Sequence, residues 1–248
     1  VGRYNDDFEP RAFGDNIQKW GTSAILIESG GYLNDEEKQE IRKLNYVSIL
    51  SAIYTISNGS YIKIPIAEYE KIPENDRKLF DLKIDNVNYT LLGKTYKLDL
   101  GIQRFEVDKE NHNDFWYSSR IIDQGDLSTY YGYETFDATG YTMKAGKLYP
   151  KKIKSIEEFL KLDPYSLLQQ GYLYVSIENI PKQLLASPLP LNIVGDNFKT
   201  PTDLRLNVGI NPTFILEKNG VVDYVVINGF LINVKEKKGL FKNAMLFR

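Results

Sequence analysis

The sequence predicts an α+β protein in which a helix-strand-helix piece of an α/β domain is followed by a mostly antiparallel β-sandwich. Helical periodicity dominates residues 1–70, whereas short β-type segments separated by turn residues fill most of residues 71–248. A chain of 248 residues is long enough for two domains with separate cores. We therefore expect a boundary after residue 70 and a mixed helix and loop connector at about 151–202 within the second domain.

The first segment has the pattern of a helix followed by a buried strand. Apolar residues at helical spacing over 11–20 predict a helix that ends before Gly21. The apolar run over 22–28 ends in the carboxylate of Glu28 and is followed by Ser29-Gly30-Gly31. A continuous apolar run that stops at glycines predicts a buried strand that breaks sharply.

A second helix is marked at both of its ends. Asn34 and Glu37 have the spacing of a capping box, and Asn58-Gly59 is a typical helix stop. One face between these signals is apolar and consists of Ile41, Leu44, Val47, Leu50 and Tyr54. This pattern predicts a long helix that completes the α/β piece.

From Asp81 onward the sequence is typical of a β domain. Asn228-Gly229 predicts a tight hairpin, Lys218-Asn219-Gly220 predicts another turn, and Ser155 caps a short helix over 155–162. The predicted strands cover 82–90, 94–102, 121–122, 135–143, 172–177, 212–217 and 221–234. Short strands between turns predict a β-sandwich or a small barrel.

Charge and composition exclude several classes of partner and site. The net charge is −2 and the basic residues form no extended cluster, so we expect no nucleic-acid partner. The longest apolar runs are too short to span a bilayer, so we expect no membrane span. The chain has no cysteine, which excludes disulfides and cysteine nucleophiles. Its single histidine, His112, lies in a polar stretch that is typical of a solvated loop.

Glu28 is the candidate catalytic residue. It stands at the carboxyl end of the predicted strand, where ligand crevices form in α/β sheets. A carboxylate there, beside glycines that permit close approach of a substrate, can act as a general base. The alternative is a structural glutamate that caps a neighbouring helix or pairs with Lys19 or Arg42. The residue pattern leaves both roles open.

The run from Arg11 to Tyr32 resembles the closing part of the catalytic domain in zinc carboxypeptidases of the carboxypeptidase A-like family. In that family a helix leads into a strand that delivers the catalytic glutamate, and Glu28 matches that glutamate by position. Residues 34–57 match the family's C-terminal helix. The resemblance implies peptide-bond hydrolysis in which zinc lowers the pKa of its bound water, and Glu28 accepts the proton and passes it to the leaving amine.

The zinc ligands that the resemblance implies are missing from this chain. In the family a His and Glu pair, a later His and the substrate-binding arginines precede the glutamate segment, and this chain has no histidine before His112. We therefore expect zinc in an intact protein, with its ligands and the peptide-substrate site in a portion that precedes Val1. The chain itself is then expected to be a catalytically inert C-terminal fragment.

Two further expectations depend on the same resemblance. Bacterial family members are often exported, so the resemblance implies a periplasmic or secreted protein. The peptidase strand over 22–28 would have an exposed edge in this chain, so we expect self-association to be possible there.

The β part carries a second resemblance. The runs Phe80 to Val87, Phe136 to Lys147 and Asn207 to Phe214 resemble the β-sandwich that flanks the barrel in amidohydrolases of the dihydroorotase and urease kind. Those enzymes have a metal-binding His-x-His after the glycine turn, whereas this chain has Leu148-Tyr149-Pro150. The resemblance therefore implies an accessory sandwich without amidohydrolase activity.

A non-catalytic binding or interaction module is the alternative function. It would use the β-sandwich to hold a partner, and a surface groove lined by Trp116, Tyr130 and Tyr131 would favour it because aromatic rings stack on glycans and peptides. Packing within the β domain is the other explanation of these aromatic residues.

Overall fold

The computed structural model describes residues 2–4, 7–32, 35, 38–76, 78–109, 114–195, 197–200, 204, 206–237 and 243–247 of the chain. The chain divides into two compact units, Val1–Arg77 and Lys78–Arg248. Unit 1 is helical in its described residues, and unit 2 contains all the strands. The predicted α+β class with a mostly antiparallel sheet is confirmed.

The described part of unit 1 contains three α-helices and one short 3₁₀-helix. They are α1 (Phe13–Lys19), α2 (Gln39–Asn58), the 3₁₀-helix Ser60–Lys63 and α3 (Ile66–Glu70). The predicted end of α2 is confirmed, because Gly59 has a φ of 71° and terminates the helix in the left-handed conformation. The start of α2 lies later than predicted, and the proposed capping residues Asn34 and Glu37 lie outside the described residues.

The predicted strand over 22–28 is wrong. Residues 22–32 have no regular secondary structure, and their side chains are exposed. A β-strand requires the backbone N–H and C=O groups of a neighbouring strand, and no strand in the described part of the chain pairs with this segment. The apolar run over 22–28 is therefore present, but the described residues form no sheet in which it pairs.

The described residues of unit 2 form twelve strands and two short helices. The helices are α4 (Ile156–Phe159) and α5 (Pro164–Gln169). The first six strands are β1 (Leu79–Leu91), β2 (Lys94–Asp108), β3 (Phe115–Gly125), β4 (Tyr131–Asp137), β5 (Thr142–Lys144) and β6 (Lys147–Leu148). The other six are β7 (Tyr172–Ser176), β8 (Asn192–Val194), β9 (Phe214–Lys218), β10 (Val221–Ile227), β11 (Phe230–Asn233) and β12 (Leu246–Phe247).

The larger sheet of unit 2 has eight strands. Seven of them follow the order β11-β10-β9-β5-β1-β2-β3, and β4 pairs with β1 beside this path. The pairs along the order are antiparallel, except that β1 runs parallel to β5, and also to β4. Both predicted hairpin turns are confirmed: Asn219 and Gly220 have φ values of 53° and 78°, and Asn228 and Gly229 have φ values of 48° and 75°.

The smaller sheet was not predicted from the sequence. Its order is β12-β8-β7-β6, and all of its pairs are parallel. The connection from β6 to β7 contains α4 and α5, as parallel pairing requires a crossover. Ser155 caps α4 as predicted, because its Oγ accepts a hydrogen bond from the Glu158 N–H at 3.3 Å.

Two hydrophobic clusters share the strands β9 and β10. Ile215 and Val225 belong to the cluster that also contains Leu173 and Ile193 of the smaller sheet. Phe214, Leu216 and Val226 point into the other cluster, with Leu82, Ile84, Leu100, Ile102 and Ile121 of β1, β2 and β3. The two strands are therefore buried on both faces and form the wall between the clusters.

Asn228 is fully buried and joins distant parts of unit 2. Its Oδ1 accepts hydrogen bonds from the Ser119 backbone N–H at 3.0 Å and from Asn211 Nδ2 at 2.7 Å. Its Nδ2 donates to the carbonyl oxygens of Tyr117 at 2.8 Å and Asn243 at 2.7 Å. Because Tyr117 and Ser119 belong to the edge strand β3, this amide pairs with the strand edge as a neighbouring strand would.

Asn228→Ala is expected to lower the free energy of unfolding of unit 2 by about 3 kcal/mol or more. The variant leaves the buried Ser119 N–H and the half-buried Tyr117 C=O without this partner, at about 1–3 kcal/mol for each group. Asn219→Ala is the matched control, because Asn219 has a similar φ in an exposed turn and its replacement costs only about 1 kcal/mol. Urea denaturation measures both, and equal losses in the two variants would contradict the role of the buried amide.

Candidate functional site

Glu28 lies in the exposed segment between α1 and α2. Its Oε2 accepts a hydrogen bond from the phenol hydroxyl of Tyr4 at 3.0 Å. Among the described residues, neither predicted ion-pair partner of Glu28 pairs with it, and the ammonium of Lys19 instead lies 5.2 Å from the centre of the Phe8 ring. The structural alternative of a salt bridge to Lys19 or Arg42 is therefore not formed, and the carboxylate faces solvent and one phenol.

The residue after Glu28 connects the segment to α2. The side-chain amide of Asn45 donates a hydrogen bond to Ser29 Oγ at 2.6 Å. Tyr4, near the start of unit 1, and Asn45, within α2, thus hold two consecutive residues of the segment. Neither partner follows from a local sequence pattern, because Tyr4 is 24 residues and Asn45 is 16 residues away from the residue that it contacts.

The start of α2, which carries Asn45, depends on Asp35. The carboxylate of Asp35 accepts hydrogen bonds from the backbone N–H groups of Gln39 at 2.6 Å and Ile41 at 3.0 Å. Desolvation raises the pKa of Asp35, but hydrogen bonds from the backbone of Ile41, Glu40 and Gln39 outweigh it, so the pKa lies below its usual value. Asp35 therefore provides the N-terminal capping carboxylate that the sequence pattern assigned to other residues.

Unit 1 exposes an unusual amount of apolar surface. Phe13 is 78% exposed, Trp20 is 74% exposed and Leu26 is 73% exposed. Along α2 only Ile41 is buried, whereas apolar side chains project in every direction and include Leu44, Tyr46, Val47, Ile49, Leu50, Ile53, Tyr54 and Ile56. A helix that is apolar on all sides is typical of one that is buried in a larger domain.

The described residues do not form a metal site. They contain no group of three or more His, Cys, Asp or Glu side chains that could hold a metal ion. His112 lies outside the described residues. The candidate site in unit 1 therefore consists of the Glu28 carboxylate, the Tyr4 phenol and the supporting helix α2. The part of the chain that the structure describes does not supply the donor atoms for zinc.

The three aromatic residues of the predicted groove in unit 2 lie on different elements. Tyr130 stacks on Phe80, with 5.3 Å between the ring centres and an angle of 14° between the rings. Trp116 lies on β3 and Tyr131 on β4, and the strands β2 and β1 lie between these two. The packing explanation therefore accounts for Tyr130, and Trp116 and Tyr131 lie on strands that are not neighbours.

Comparison with known proteins identifies no relative, because no protein-family model matches the chain and no curated protein is significantly similar to it. None of the helices in the described ranges is both long enough and apolar enough to cross a membrane.

Acid is expected to unwind the first turn of α2 through Asp35. Because the pKa of Asp35 is lower in the folded state than in the unfolded state, its stabilisation is complete above the unfolded-state pKa and is lost as the pH falls through the folded-state pKa. Far-UV circular dichroism should record a loss of helix below about pH 4. In Asp35→Ala this loss should be smaller and the helix content at neutral pH lower.

Glu70→Ala serves as the control, because Glu70 is an exposed carboxylate of the same unit at the end of α3. It should retain the acid transition of the unchanged chain. An identical acid transition in Asp35→Ala and the unchanged chain would show that Asp35 does not hold the start of α2.

Proposed function

We propose that this chain is the C-terminal part of a zinc carboxypeptidase-like hydrolase, in which Glu28 is the general base for peptide-bond hydrolysis. In this proposal unit 1 is the last portion of the catalytic domain, and unit 2 is an accessory β domain. The residue pattern from Arg11 to Tyr32 supports the family, and the exposed apolar surface of unit 1 is the observation that carries the proposal.

The apolar surface supports the proposal because it matches the needs of a larger α/β domain. The side chains of Ile25, Leu26 and Ile27 are all exposed in an extended segment, although such a run is typical of a strand buried on both faces. Each fully buried side chain of this size would contribute about 1.5–3 kcal/mol. Further strands on either side and a helical layer over α2 would supply that burial.

The proposal gives specific tasks to the residues of this chain. Glu28 accepts a proton from a water molecule and returns it to the amine that leaves, and the Tyr4 hydroxyl orients the carboxylate through its 3.0 Å hydrogen bond. Asn45 holds Ser29 and so limits the movement of the main chain beside Glu28. The described residues do not fit a zinc site, so the proposal assigns the metal ligands and the substrate-carboxylate contacts to residues outside this chain.

The alternative of a non-catalytic binding module would make unit 2 the functional part. Trp116 lies on β3 and Tyr131 on β4, which are separate strands of the larger sheet, and the binding module would have to use both. A periplasmic or secreted location remains part of the proposal on the strength of the family resemblance.

Glu28→Gln is expected to lower kcat for peptides with a free C-terminus by about 10²–10⁴-fold in a protein that contains this chain and the preceding residues. The amide cannot accept the proton, whereas the metal content should be unchanged because Glu28 is not a proposed ligand. Steady-state hydrolysis and elemental analysis measure the two quantities. Glu40→Gln is the control, since Glu40 is an exposed carboxylate of unit 1 paired with Lys43 at 3.4 Å.

Two outcomes would overturn the assignment. Full peptidase activity in Glu28→Gln would remove Glu28 from the reaction. A native protein whose mass equals that of this chain alone would have no source of the zinc ligands, and the binding module would then be the better explanation.

Ile53→Asp is expected to distinguish an exposed α2 from a buried one. In this chain Ile53 is 59% exposed, so the variant should change the unfolding of the chain by no more than about 0.5 kcal/mol. In the longer protein the new charge would be buried and should cause a large loss of stability or of soluble yield. Gln39→Glu adds the same charge at the exposed start of α2 and should be tolerated in both proteins. Equal tolerance of Ile53→Asp in both proteins would contradict burial of α2.

A further inference from the structure

The chain contains three Asn-Gly pairs in different environments, Asn58-Gly59, Asn219-Gly220 and Asn228-Gly229. In such a pair the glycine nitrogen can attack the side-chain amide carbon of asparagine. A new N–C bond forms, the bond from that carbon to Nδ2 breaks, and the nitrogen leaves as ammonia with the proton of the glycine N–H. Water then adds to either carbonyl of the resulting succinimide and opens it to an aspartyl or an isoaspartyl residue.

Asn219-Gly220 is the pair that the structure leaves open to this reaction. Both residues are exposed in the two-residue turn between β9 and β10. A Cβ built on Gly220 would meet no atom within 4 Å, so the space beside this residue is open. The turn is bounded by the paired residues Lys218 and Val221 and requires only local opening to bring the two groups together.

Asn228-Gly229 has the same turn conformation but is protected. The amide of Asn228 is fully buried and is held by hydrogen bonds on both Oδ1 and Nδ2. The Gly229 N–H donates to the Pro212 carbonyl at 3.0 Å, and a Cβ on Gly229 would lie 2.8 Å from Ser119 Cβ. Reaction at Asn228 requires the hydrogen bonds between its side chain and β3 to break first.

Asn58-Gly59 is an intermediate case at the end of α2. Its side chain is exposed, but Oδ1 accepts a hydrogen bond from the Ser60 N–H at 2.9 Å. The Gly59 N–H donates to the Ile56 carbonyl at 3.3 Å, which occupies the nitrogen that must attack.

We propose that Asn219 is a site of spontaneous deamidation in the folded protein, and that the reaction changes the charge of an adjacent cleft. This cleft has a volume of about 590 Å³ and is lined by residues that include Gln169, Lys218, Asn219, Asp223 and Lys235. The product adds a carboxylate to a lining that already carries Lys218, Asp223 and Lys235, and the isoaspartyl form also adds one backbone atom to the turn. An anion that enters this cleft would therefore bind less strongly to molecules in which Asn219 has been deamidated than to unreacted molecules.

The test is to incubate the folded chain in mildly alkaline buffer and to follow both sites by mass spectrometry. A glutamate-specific protease that cuts after Glu217 and Glu236 gives one peptide with both pairs, so each site is measured against the other. Digestion in acid prevents further reaction. We expect Asn219 to react at least about a hundredfold faster than Asn228, because opening of a buried site reduces its reactive population.

The same incubation in concentrated urea is the control, because both pairs should then react at similar rates. Asn219→Gln should abolish the product at this turn and still allow the chain to fold. Equal rates at Asn219 and Asn228 in the folded chain would overturn the proposal. Reaction of Asn219 in urea but not in the folded chain would overturn it as well.

Discussion

The buried amide of Asn228 is the contact on which the larger sheet depends. A curved sheet that ends in an unpaired strand exposes N–H and C=O groups that attract other chains. Here the outer edge of β3 is satisfied by the side chains of Asn228 and Asn211 and by the backbone of Gly209 and Ile210. Asn228 also has a φ of 48° in the hairpin turn, so one residue takes part in both the turn and the pairing of this edge.

The two units differ in how far they bury their apolar side chains. In unit 2, β9 and β10 are buried on both faces, and the described buried polar side chains all have hydrogen-bond partners. In unit 1 a 20-residue helix buries a single side chain, and the extended segment before it exposes its apolar residues to water. Unit 2 buries its apolar side chains in two hydrophobic clusters, as a folded domain does. The surface of unit 1 is instead as apolar as the interior of a domain.

Turn and cap residues in the sequence predict local structure correctly. The sequence does not predict the elements that depend on pairing between distant segments. The Asn-Gly turns, the Ser155 cap and the Gly59 stop require only neighbouring residues, and all three were predicted correctly. The apolar run before Glu28 predicts a strand only if partner strands are supplied, and none comes from the described residues. The sequence does not predict the parallel sheet, because β6, β8 and β12 are only two or three residues long and are too short for a periodic pattern. The partners of Glu28 are too distant in sequence for any periodic signal.

The proposed role of Glu28 as a general base requires more than the described residues around it supply. A general base is effective when its carboxylate is held within hydrogen-bond reach of the proton that it accepts, in a site from which water is largely excluded. In this chain one phenol and one amide position the segment, and the carboxylate is otherwise exposed. Strands that cover Ile25, Leu26 and Ile27 would fix the same segment and shield the same carboxylate. Burial of the apolar run and activation of Glu28 are therefore expected to occur together, in one folding event.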